Sequence, residues 1–321
     1  MVTNAKKLLQ LIFSVTATLQ GAAGKGREKA QNDGAHDVEH QSSSTYSSIV
    51  AYATTEGGKQ INQDYVDDCC LDGCNVLAIA DGVSGSPHGE LAAEAAVKGF
   101  LSKITEVWKQ SSTGTIGRGE IREAYNAACA GIKKCVEQTK EEKDLHSLNP
   151  QTTFIGIIDL PDRFIFTYIG DGAIALLRAD TAGAILHSSK SLLIPHSVAD
   201  VLTRVLSASG EFPKFSYMEV DKTLEGGELV VAGTDGTLPY GSVVKISKGL
   251  LSDLKDAFQE DQGNFGKGTV REILRQKVED EFTTPDNRTL GVILTNDVLD
   301  SWRKEQLREE KHRRESPHTQ E

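Results

Sequence analysis

Five apolar residues at 76–80 run without a polar break and end in Asp81-Gly82. A run of this length bounded by turn residues predicts a strand buried on both faces, so Asp81 arrives at the rim of a core. The pattern returns three times. Residues 164–169 lead into Gly170-Asp171-Gly172, residues 229–233 lead into Thr234-Asp235-Gly236, and Asp286-Asn287 stands just before residues 289–294. Each strand-like segment thus places an aspartate at one of its ends.

The rest of the chain supplies the frame. Residues 46–54 alternate loosely and predict a first strand. Glu56-Gly57-Gly58-Lys59 reads as a turn, Tyr65-Val66 as a short strand and Leu71-Asp72-Gly73 as the turn into the apolar run. After the tight loop at 82–87, a helix is predicted from near His88, with Leu91, Val97, Phe100, Leu101, Ile104 and Trp108 at helical spacing. A second helix carries Ile121, Tyr125, Ala128, Ile132 and Cys135, and its charged end at 140–144 is expected to fray. Residues 151–159 and 164–177 predict an antiparallel meander. Residues 198–206 read as helical, and residues 212–220 lead through Glu225-Gly226-Gly227 into a strand at 229–232. A helix over roughly 269–282, a last strand at 289–294 and a charged helix at 298–314 follow.

Hairpins and meanders with helices set between blocks of strands predict an α+β fold. The expected architecture is a four-layer α-β-β-α sandwich, two antiparallel sheets face to face with helices outside. The strict alternation that a doubly wound parallel sheet needs is absent. Three regions are expected. Residues 1–45, without periodicity, read as a flexible N-terminal extension. Residues 46–297 form the folded domain, and residues 298–321 form a charged C-terminal helix and tail.

Charge narrows the function classes. The chain has 321 residues and a net charge of -11, which argues against a nucleic-acid footprint or an anionic-membrane footprint. Mean hydropathy is -0.32, the value of an ordinary globular protein. The five cysteines are odd in number and form no C-x-x-C pair, so free thiols are the expected state and a zinc site or disulfide the alternative. Lys6-Lys7, an apolar-leaning run at 8–19 and Gly21-Ala22-Ala23 outline a signal peptide, yet Gln10, Ser14, Thr16 and Thr18 dilute it. The run is too short to span a bilayer. Asn287-Arg288-Thr289 is a glycosylation sequon beside one of the aspartate-bearing strand ends, where a sugar would block access. A cytoplasmic monomer is therefore expected, with secretion or organelle import as the alternative.

Oxygen-only groups on rigid strand ends suit hard cations such as Mg²⁺ or Mn²⁺. Carboxylates packed together repel unless a cation sits between them. A two-metal centre resolves the repulsion and can activate water and clamp a phosphate for in-line attack. For any one Asp-Gly a plain turn is the simpler reading; four at strand ends in one chain favour a common site. Two other chemistries fit less well. Ser84 follows the apolar run, but Gly82-Val83-Ser84-Gly85-Ser86 is not a G-x-S-x-G elbow. The glycines at 21–26 and 57–58 do not complete a phosphate-binding loop.

The ordered motifs across 46–297 resemble those of the metal-dependent PP2C (PPM) Ser/Thr protein phosphatases. Gly58-Lys59-Gln60-Ile61-Asn62-Gln63-Asp64 is similar to the first motif, and Ala80-Asp81-Gly82-Val83-Ser84-Gly85 to the Asp-Gly-x-x-Gly motif. Thr152-Thr153, Ile169-Gly170-Asp171-Gly172 and Leu202-Thr203-Arg204-Val205-Leu206 resemble its core segments. Thr234-Asp235-Gly236 and Asp286-Asn287 resemble its last two acidic motifs. The resemblance implies hydrolysis of phosphoserine and phosphothreonine in protein substrates, by direct attack of a water or hydroxide bridging two Mg²⁺ or Mn²⁺ ions. It implies Asp64, Asp81, Asp235 and Asp286 as metal ligands, with Asp81 bridging and the Gly82 carbonyl coordinating. Asp171 would serve a third ion and Asn287 would support the last ligand. Lys59 stands where the family usually has Arg to grip phosphate, and Lys lacks the bidentate fork. Val83 stands where animal members carry a His that protonates the leaving oxygen, a His that bacterial members also lack. His88 reads as a surface residue at a helix start. The alternative is a catalytically silent binding module of the same fold.

Overall fold

The computed structural model describes residues 48–315 except 112–113, 144–148, 180–184, 187–191, 199–200, 210–212, 223–226, 240–241 and 283. The expected extension over 1–45 and the final residues of the tail lie outside the described residues. The chain opens with β1 (Ser48–Thr55), β2 (Asp64–Leu71) and β3 (Cys74–Asp81), followed by α1 (Gly89–Gln110) and α2 (Arg118–Lys143). Next come β4 (Gln151–Thr152), β5 (Phe154–Asp159), β6 (Arg163–Ile169), β7 (Ala173–Ala179) and β8 (Ile185–Leu186). They are followed by β9 (Ser197–Val198), β10 (Val201–Leu202), β11 (Leu206–Ser207), β12 (Ser216–Asp221) and β13 (Glu228–Gly233). Then α3 (Val243–Glu260), α4 (Lys267–Gln276), a π-helical turn over Lys277–Glu281, β14 (Arg288–Thr295) and α5 (Asn296–Glu315) complete the order.

Two five-stranded antiparallel sheets, β1-β14-β13-β7-β8 and β12-β6-β5-β3-β2, carry the architecture. Period-2 alternation sends successive residues of each central strand to different cores. On β3, Leu77 and Ile79 point into the core between the sheets, where Ile155, Ile157, Val230 and Ile293 meet them. Val76, Ala78 and Ala80 point the other way, against Ala92, Ala96 and Phe100 of α1 and Tyr125 of α2. On β13, Val230 and Ala232 face the inter-sheet core, whereas Leu229 and Val231 face Leu250, Leu254 and Phe258 of α3. The unbroken apolar runs thus follow from burial on both faces, and the four-layer α-β-β-α sandwich is the observed fold. The first turns of the charged α5 join the outer core through Val298, Leu299 and Trp302.

Local expectations fare unevenly. The described residues of the stretch expected to be helical, 198 and 201–206, are not helical. Val201 pairs with Val198 in a short hairpin, and Leu206 pairs with Thr152. A partner some fifty residues upstream overrides local spacing there. The expected two-residue strand at Tyr65-Val66 extends over eight residues, because β3 pairs with it from Asp64 to Leu71. Helix α3 was not anticipated, although Val243, Ser247, Leu250, Leu251, Leu254 and Phe258 trace one buried face. The helix expected over 269–282 begins earlier and loosens into the π turn at Lys277. All five cysteines are free thiols. Among the described residues, no helix is long and apolar enough to cross a membrane.

At one end of the sandwich a buried ion pair joins Lys222 to Asp159, which also accepts from Asn75 Nδ2 at 3.2 Å. Asn75 opens β3; Asp81 closes it at the opposite end.

Candidate active site

Register brings the first two aspartates together. Asp64 opens β2, Asp81 closes β3, and the two are direct cross-strand partners. Asp81 lies on the face that Leu77 and Ile79 present to the other sheet, two residues further along. Opposite them, Gly233 ends β13 and delivers Asp235 to the same rim. Asp286 precedes β14, the neighbour of β13. Asp171 sits between β6 and β7, after Gly170 has taken a positive φ of 111°. Asp81, Asp171, Asp235 and Asp286 all line one cavity of about 580 Å³. Asp64 lies beneath it and is only 6% exposed.

The electrostatics are those of crowded carboxylates. Burial pushes the Asp64 carboxyl up to about 6, with Asp235 adding to the rise and hydrogen bonds from Thr289 and Thr234 opposing it. Asp81 is held well above the ordinary carboxylate range by burial, then by Asp64, Asp235 and Asp286. Burial and Asp235 raise Asp171 to about 6. Asp235 is raised by burial and Asp286, with Lys59 opposing. Lys59 Nζ pairs with Asp286 Oδ1 at 3.0 Å. Asp64 Oδ2 accepts from Thr234 Oγ1 at 2.9 Å, while the buried Oδ1 has no hydrogen-bond donor. Among the described residues, no three acidic, His or Cys side chains converge to coordinating distance.

Backbone contacts fix the rim. The Asp81 carbonyl accepts from Thr153 N and Thr152 Oγ1, each at 2.8 Å. Gly82 packs against the start of α1 so closely that a Cβ would fall 2.4 Å from the Gly89 carbonyl carbon. Gly236 is equally constrained, its Cβ position lying 1.9 Å from the Asn287 carbonyl oxygen. Asn287 is a buried staple. Its Oδ1 accepts from Gln63 N at 3.0 Å, and its Nδ2 donates to the Glu56 and Ile61 carbonyls at 3.0 and 3.1 Å. The loop carrying Lys59 and leading to Asp64 is thereby tied to the segment carrying Asp286.

Every aspartate singled out from the sequence reaches this rim, together with Lys59, Gly82 and Asn287. His88 does not line the cavity; it caps the start of α1 at φ 60° and contacts Glu90 Oε1 at 3.1 Å. Two participants stand inside segments quoted from the sequence but had no role assigned to them there. Thr234 bonds Asp64 across 170 positions. Arg204 lines the cavity and places Nη1 3.2 Å from His196 Nε2, with His196 stacked on Tyr168.

Residues 53–274 match the family model of protein phosphatase 2C. No match was found among curated protein sequences. Solved structures do match. PppA, described as a key regulatory component of T6SS in Pseudomonas aeruginosa, superposes with a TM-score of 0.52 at 16% identity, over 78% of this chain and 99% of that one. The catalytic domain of the serine threonine protein phosphatase PstP, in complex with two manganese ions, gives 0.51 at 19% identity over 77% and 99%. A C. elegans sex determining protein gives 0.54 at 15% identity over 81% and 68%. At these identities the likeness is one of fold.

Proposed function

From the premise that the chain belongs to the protein phosphatase 2C family, we propose that it is a metal-dependent phosphatase of phosphoserine and phosphothreonine in proteins. The observation that carries this reading is the meeting of five aspartates, from residues 64 to 286, at one end of the sandwich. Burial and mutual repulsion raise the pKa values of Asp64, Asp81, Asp171 and Asp235, an arrangement that costs stability unless positive charge is supplied.

The donor set fits Mg²⁺ or Mn²⁺. It is all oxygen, and Asp64 Oδ1 is a buried acceptor without a donor. Asp64, Asp81, the Gly82 carbonyl, Asp235 and Asp286 would hold two ions, and Asp171 a third. Such ions, when bound, act as Lewis acids that lower the pKa of water and neutralise phosphate charge. The chain's own groups orient the substrate. Lys59, already paired with Asp286 of the cavity wall, would trade that contact for a phosphate oxygen. A lysine grips one oxygen at a time, so phosphate binding is weaker than an arginine fork would give. Asn287 keeps Lys59 and Asp286 in register.

The test is phosphate release from a phosphopeptide, with and without Mn²⁺, by the wild type and by Asp81→Asn and Asp235→Asn. Mn²⁺-dependent turnover that drops by orders of magnitude in both folded variants is expected. Near-normal turnover in either variant overturns the ligand assignment. No release by the wild type under any metal condition leaves the silent binding module as the reading.

A further inference from the structure

We propose that the cleft between the start of α2 and the segment leading into β12 docks an acidic stretch of the protein substrate, beside the phosphorylated residue. This rests on the phosphatase reading above. The cleft encloses about 480 Å³ and is lined by Arg118, Arg122, Pro213, Lys214 and Phe215. Arg118 and Arg122 stand one turn apart on α2 and so share a face. The Arg118 guanidinium lies 6.0 Å from the ring centres of both Phe215 and Tyr217, a cation–π geometry. Phe215 in turn stacks on Tyr125 at 4.7 Å, and Tyr125 is fully buried. The floor of the cleft is therefore anchored in the core, and its cations stand above a rigid surface.

Among the described residues, the cations of this cleft stand outside the local ion pairs. Glu120 Oε2 accepts from the Gly117 amide at 3.0 Å. Glu123 pairs with Lys103 at 3.3 Å, and Glu219 pairs with Arg163 at 3.1 Å. With the nearby carboxylates so engaged, Arg118, Arg122 and Lys214 form no ion pair with any described residue. On a chain of net charge -11, three cations in one cleft without an ion pair among the described residues are a local reversal of sign that attracts an acidic ligand.

A relay of contacts links the cleft to the candidate active site. Ser216, the neighbour of Phe215, places Oγ 2.9 Å from His196 Nε2. Arg204 contacts the same nitrogen at 3.2 Å and lines the aspartate cavity. A substrate whose phosphoresidue enters that cavity passes over Arg204 and His196 to reach Arg122 and Lys214.

The experiment uses Arg122→Glu/Lys214→Glu, which reverses two exposed charges that support no packing. kcat/KM is measured on p-nitrophenyl phosphate and on two phosphopeptides, one with glutamates flanking the phosphoserine and one with neutral flanks. The expected result is about a tenfold fall on the acidic peptide alone, with the wild-type preference itself fading at high salt. An unchanged preference, or an equal fall on all three substrates, overturns the proposal. A second measurement separates docking from catalysis: fluorescence anisotropy of a labelled, unphosphorylated glutamate-rich peptide. Binding that the double variant loses supports the docking site even should the wild type hydrolyse nothing, in which case only the phosphatase reading falls. Absence of wild-type binding, or binding of an RNA oligonucleotide in its place, refutes the docking site while leaving the phosphatase reading intact.

Discussion

Asp64→Asn should stabilise the metal-stripped protein while removing its activity. The side chain is 6% exposed, so solvent does little to screen its charge. Its carboxyl rises from the ordinary 3.8 to about 6, and a rise of this size corresponds to about 3 kcal/mol of native-state cost once the group is ionised. The sign follows from linkage. A carboxyl whose folded pKa exceeds its unfolded pKa destabilises the native state above both values, and that cost disappears as pH falls through the folded pKa toward the unfolded one. The full cost is present at pH 7.5, roughly half of it remains at pH 5, and almost none remains at pH 4. Asn keeps the shape and retains an oxygen for Thr234 Oγ1, which now sits 2.9 Å from Asp64 Oδ2. Its amide can donate toward Asp81, the cross-strand partner. In EDTA at pH 7.5 the variant should melt about 5–10 °C above the wild type. At pH 5 the gap should shrink to about half. With Mn²⁺ present the order should reverse, because only the wild type gains the binding energy, and turnover by the variant should be lost. The assay is thermal unfolding followed by circular dichroism, run in EDTA and in Mn²⁺ at both pH values. A variant less stable than the wild type in EDTA at pH 7.5, or a gap indifferent to pH, would show that Asp64 is not a strained charge awaiting a cation.

Two further outcomes follow from contacts elsewhere in the fold. Asn287→Ala removes three hydrogen bonds at about 1 kcal/mol each, so urea unfolding should show a loss of about 2–3 kcal/mol, and phosphatase activity should fall further than Asn287→Asp lowers it; full activity in the alanine variant would refute the staple. Lys222→Met breaks a buried pair with Asp159, at a cost of about 3–5 kcal/mol. Because that pair lies at the far end of β3 from Asp81, kcat/KM of the folded fraction should stay unchanged, and a large fall would mean that the two ends of the sandwich are coupled.

The sequence by itself determined the central strands and the aspartates that end them. Its apolar runs at 76–80 and 229–233 are local, and burial on both faces leaves no other pattern for such strands. The α3 face is equally legible in the spacing of Val243, Leu250, Leu254 and Phe258. What the tertiary structure alone decided are the long-range pairings. Leu206 takes its strand from Thr152, Thr234 finds Asp64, and Asn287 closes on a loop more than 220 residues earlier. The basic cleft likewise unites α2 with the approach to β12. Propensity and periodicity act over a turn or a few residues, whereas these contacts exist only once two sheets have packed and brought distant ends to one rim.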